Sequence, residues 1–124
     1  MWEDQAIYRY SREQAIKDGV LVDVTKMAQE IGFKFPVAVT QGVWDLIQPT
    51  PKLKRQGQSK EGRLWDLLWV LLLGCKNGEI TEQTPNFQVK ILTGTGLKFF
   101  DFWAHCAPGD NMEPVITIML PGED

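Results

Sequence analysis

One imidazole, two thiols and a scatter of carboxylates are the groups of this chain best suited to chemistry. His105 adjoins Cys106 and precedes Asp110 by five residues, so a Cys–His–Asp nucleophilic site can be drawn from these three. Neighbouring residues of a regular strand point to opposite faces, however, so His105 and Cys106 meet only across a bulge or a turn. Cys75, arriving from an apolar helical run, is the alternative nucleophile. A zinc site would need Cys75, His105, Cys106 and one carboxylate, and no pair among them has the spacing of about two to four residues that presents ligands locally. No metal and no cofactor is therefore expected. The glycine-containing segments Gly94-Thr95-Gly96 and Gly74-Cys75-Lys76-Asn77-Gly78 lack a phosphate-binding fingerprint and read as turns.

The acidic residues Asp18, Asp23, Asp45 and Asp66 could converge on a cation or an acid–base site, but caps and solvated helix ends account for them equally well. Asp66 lies inside the most apolar helix, where an unpaired charge is costly, and Arg63 three residues earlier is its expected partner. Trp44, Trp65, Trp69 and Trp103 are assigned to the core. Trp2 and Tyr8 are less constrained. Beside Lys52, Lys54 and Arg55 they could stack on single-stranded nucleic acid.

The elements that must position these groups follow from pattern. Ser11 with Gln14 forms a capping box for a helix over about 12–17, which Asp18-Gly19 ends. Ile7-Tyr8-Arg9-Tyr10 before it reads as a short strand. Val20-Leu21-Val22 and Val37-Ala38-Val39 are short apolar pieces. Thr25 caps a helix to Ile31, and Thr40 caps another that Pro49 and Pro51 stop. Leu64 to Leu73 is apolar on nearly every side, so the helix over about 61–75 should be buried on most sides. Phe87, Val89 and Ile91 alternate with Gln88 and Lys90, the period of a half-buried strand. Strands over 97–106 and 115–120 follow, joined by the Pro108-Gly109-Asp110-Asn111 turn.

A chain of 124 residues with 44% hydrophobic and 23% charged residues fits one globular domain, 1–124, and excludes disordered and fibrous classes. The net charge of −3 argues against a general nucleic-acid binder, which is usually basic. Its distribution is uneven. Within 48–63 the cations Lys52, Lys54, Arg55, Lys60 and Arg63 oppose the single Glu61, and the segment over about 48–62 reads as a basic loop. After Lys98 there is no Lys or Arg, while Asp101, Asp110, Glu113, Glu123 and Asp124 make an acidic end. Two cysteines are too few for a disulfide scaffold. The acidic start lacks a signal-peptide pattern and the apolar helix is too short for a membrane, so a cytoplasmic protein without membrane attachment is expected.

Tyr10-Ser11-Arg12, the run Asp18 to Thr25, Pro36-Val37-Ala38-Val39-Thr40 with Trp44, Gly62 to Trp69, and the ending Pro114 to Asp124 together resemble a family of short bacterial, plasmid and phage proteins of unknown function. The resemblance covers most of the chain, with the basic loop and 77–83 as variable parts. It carries over no catalytic residue. What it implies is a mobile-element setting, in which small accessory proteins act on host systems.

The resulting expectation is an α+β domain with short N-terminal helices and one buried helix packed on a mainly antiparallel C-terminal sheet. Its function is that of a non-enzymatic interaction protein, binding a host or element-encoded protein such as a defence nuclease. Lys52, Lys54, Arg55 and Lys60, or the acidic end after Met112, would make the contact. The alternatives are a small hydrolase-like enzyme using His105 with Cys106, Cys75 or Asp110, and a weak single-stranded nucleic-acid binder.

Overall fold

Each helix starts where a short polar side chain closes an open backbone N–H. In the computed structural model, which describes residues 10–123, Ser11 accepts from the Gln14 N–H to start α1 (Arg12–Lys17). Gln14 does not complete a capping box; its side-chain amide donates to Asp18 at the far end of the helix. Thr40 starts α3 (Gln41–Leu46), and Thr50 starts α4 (Pro51–Arg55). Ser59 starts α5 (Lys60–Lys76). Thr25 differs from expectation. It is the first residue of α2 (Thr25–Ile31), and Asp23 accepts from its N–H and its hydroxyl. Freed from capping, the Thr25 hydroxyl oxygen accepts from the Val37 N–H and ties α2 to the sheet. The expected strand over 7–10 lies outside the described residues apart from Tyr10, which is not in a strand.

The strands are β1 (Leu21–Asp23), β2 (Val37–Thr40), β3 (Asn86–Thr93), β4 (Gly96–Pro108) and β5 (Pro114–Met119). They form one sheet in the order β1-β2-β5-β4-β3, antiparallel throughout except where β2 runs parallel to β5. Pairing of Val39 with Ile118 and of Ala104 with Ile118 puts these side chains on one face, together with Phe102, Phe87, Val89 and Ile91. Leu64, Leu67, Leu68 and Leu71 of α5 and Ala28 of α2 cover that face and complete the core. On the opposite face α1 lies over the β1–β2–β5 side, where Ala15 is buried and the Arg12 guanidinium donates to the Thr117 hydroxyl and the Ile116 carbonyl. The result is the expected α+β architecture.

Two local expectations change. The segment 48–62 is not a continuous loop: Pro51 occupies the first turn of α4, and Leu53 is buried as its anchor. Arg63 does not turn outward to Asp66. It is 7% exposed and donates to the carbonyls of Ile47 at 3.3 Å and Leu92 at 2.5 Å, bridging the end of α3 to the end of β3. Asp66 is exposed, so water meets its charge without the arginine.

Candidate functional site

His105 and Cys106 sit near the end of β4, opposite Thr117 and Ile116 of β5, and so belong to opposite faces of the sheet. Both nevertheless line one surface cavity of about 380 Å³, with Glu82, Pro85, Trp103, Ala104 and Met119. The reason is the length of β3. It begins at Asn86, opposite Trp103, so among the described residues β4 has no strand neighbour on that side beyond this point and both faces open at the edge. Asp110 does not join them. Its two carboxylate oxygens accept from the backbone N–H groups of Arg12 and Glu13 at 2.9 and 3.0 Å, at the start of α1, and it lines a different cavity. The drawn Cys–His–Asp site is thus dispersed between the sheet edge and a helix terminus.

Cys75, the alternative nucleophile, lies in the last turns of α5 and shares a second cavity with Cys106. Burial pushes its thiol pKa up, and the neighbouring Cys106 pushes it further. That direction favours the thiol over the thiolate, the reverse of what a nucleophilic cysteine needs. Among the described residues, no group of three or more His, Cys, Asp and Glu side chains is arranged to hold a metal ion.

The exposed groups that do line up are apolar, and they lie on α5. Trp65, Trp69 and Leu73 are 42%, 45% and 39% exposed. They follow one another at four-residue steps, so they form one stripe along the helix face away from the sheet, about 12 Å long. This corrects the assignment of Trp65 and Trp69 to the core. Among the described residues a single helix layer covers this face of the sheet, so a helix apolar all round hides its inner side and leaves the outer side exposed. Trp44 is partly buried as expected, and Lys60, in the first turn of α5, lies over its ring at 4.7 Å. Lys52, Lys54 and Arg55 are exposed on α4, one short connection upstream of Lys60.

Over residues 3–124 the sequence matches a family of unknown function, DUF6573. The chain belongs to that family. No curated protein and no solved structure matches it. Membership covers the whole described fold, including the α5 stripe and the sheet edge.

The acidic end has a structural occupation. Glu123 accepts from the Thr40 hydroxyl at 2.8 Å and from the Leu120 N–H at 2.6 Å, which folds the chain after β5 back onto the start of α3. A negative charge is favoured at that helix end. Gly42 makes room for it: a Cβ there would stand 2.7 Å from a Glu123 oxygen. Glu113 accepts from the Asn111 N–H within the β4–β5 turn. Asp101 accepts from the Gln88 side-chain amide at 2.7 Å, so four of the five acidic residues after Lys98, Asp101, Asp110, Glu113 and Glu123, are engaged within the fold. Among the described residues the cations of α4 are not used in this way. Among the described residues no helix is long and apolar enough to cross a membrane.

Proposed function

We propose that this chain is a non-enzymatic protein-interaction module that takes its partner on the outer face of α5, beside the cations of α4. The observation that carries the reading is the stripe Trp65–Trp69–Leu73, three large apolar side chains left exposed at one helical spacing. Tryptophan is enriched among the residues that dominate binding energy at protein interfaces, and contiguous exposed apolar surface is a recurring mark of such sites. Lys52, Lys54, Arg55 and Lys60 select the chemistry of the partner: an amphipathic segment with apolar anchors for the stripe and carboxylates for the cations. The acidic end, whose side chains hold α1 and α3 in place, has the lesser part in this reading.

The plasmid and phage setting that the sequence resemblance implies gives the module its form in this proposal, a modulator of a host defence nuclease. The test compares the native sequence with W65A/W69A and with K52E/K54E/R55E, each co-expressed in a bacterial host and recovered by cross-linking. The expected result is one host protein enriched with the native chain and lost with both variants, while their circular dichroism stays native. Equal recovery with all three, or with none, overturns the proposal. A tight complex with single-stranded DNA that weakens steeply with salt would do the same, since it would give the surface to nucleic acid.

A further inference from the structure

Cys75 and Cys106 are 31 positions apart in sequence and come from different elements, the end of α5 and the end of β4. Both are free and exposed at the surface. They converge on one cavity of about 120 Å³ whose remaining wall is mainly apolar, with Leu71, Ile80, Ala104 and Ile116. Cys106 shares a face with Ala104 and Ile116, the face toward α5, so its side chain is on the same side of the sheet as Cys75. The alanine at 104 leaves space there that a larger side chain would take. We propose that Cys75 and Cys106 are a modification site, closed into a reversible disulfide by a low-molecular-weight disulfide such as oxidised glutathione.

The exchange runs in two steps. The thiolate of Cys106, which also lines the larger open cavity, attacks one sulfur of glutathione disulfide. A Cys106–glutathione bond forms, the glutathione S–S bond breaks, and one glutathione thiolate leaves. Cys75, relieved of the neighbouring Cys106 charge by that bond and deprotonated by solvent, then attacks the Cys106 sulfur and expels the second glutathione thiolate. The protein loses two hydrogens, and one glutathione disulfide becomes two glutathiones. Bonding holds the Cα atoms within about 7 Å of each other, across the small cavity that both residues line. A disulfide between two exposed cysteines is readily reduced, as a switch requires. The effect of Cys106 on the Cys75 thiol agrees with this arrangement.

The test treats the full chain with glutathione disulfide and then with reduced glutathione, reading intact mass and the peptide map. The expected product has lost two hydrogens, carries no glutathione, maps to a Cys75–Cys106 link and returns to the dithiol on reduction. C75S should instead stop at one glutathione on Cys106. A native chain that accumulates one or two stable glutathione adducts, or links between molecules instead of within one, overturns the proposal.

Discussion

Arg63 carries a charge where the sequence around it is most apolar, and backbone carbonyls instead of a carboxylate take its two terminal nitrogens, while its buried Nε has no hydrogen-bond partner among the described residues. Replacing it by Met keeps the packing stem and removes both donors, leaving the Ile47 and Leu92 carbonyls to find water. The expected loss is about 2 kcal/mol in urea unfolding, whereas D66N, on an exposed site, should stay within about 0.5 kcal/mol. The sequence placed Arg63 and Asp66 at pairing distance, but helical spacing cannot reveal a carbonyl on another element. It did identify the caps at Ser11 and Thr40, whose partners lie three residues away on the same chain. A second residue-scale prediction concerns Tyr10 and Asp18. The Tyr10 hydroxyl donates to Asp18, which, with the Gln14 amide, holds the Asp18 pKa below its ordinary value and raises that of Tyr10. A depressed carboxylate pKa contributes stability above the ordinary carboxylate range that is lost as pH falls through the lowered value. A raised phenol pKa contributes stability below its ordinary value that is lost as pH rises through the raised one. Y10F should therefore move the Asp18 titration upward by carbon-detected NMR, and D18N should move the Tyr10 ultraviolet titration downward; unchanged curves would dismiss the contact.

At the scale of elements, α5 combines two demands that a hydrophobic pattern cannot separate. Ten nearly continuous apolar positions specify a helix that can be covered all round, yet the described residues supply cover on one side only. This is why the sheet-facing leucines were legible and the exposure of Trp65 and Trp69 was not: the missing information was the absence of a second layer, a property of neighbours. Near its end, Gly74 is there for contact. A Cβ would meet the Ile80 side chain at 2.3 and 2.7 Å, so G74A gains helix propensity and loses packing. The packing loss should prevail, with a net destabilisation of about 1–2 kcal/mol measured by urea unfolding. The helix α4 escaped the sequence reading because five residues with one apolar side chain look like a loop. Leu53→Ala should cost about 2–3 kcal/mol if its buried side chain anchors that helix, and less than about 0.5 if α4 is merely solvated.

For the whole molecule, the C-terminal strands were legible because their two-residue alternation and turn residues are local signals, and β3, β4 and β5 pair in sequence order. The parallel junction of β2 with β5 was not, since it joins residues some 80 positions apart and no short-range pattern encodes it. The same distance dispersed the drawn catalytic trio: Asp110 serves α1 at the start of the chain, and His105 stays at the sheet edge. Ile118, fully buried on β5 between β2 and β4, tests this architecture. I118A should lose about 2–5 kcal/mol, and fluorescence and circular dichroism should report one coincident transition, as expected if the two halves of the sheet melt together. During biosynthesis this order of strands has a price. β5 is central in space but follows all the other strands in the chain, so β1 and β2 leave the ribosome with an apolar face and an unfilled flank, and both persist until some 75 further residues have been translated. A nascent chain in that condition is a natural client for holding chaperones, and slow translation should lower its yield.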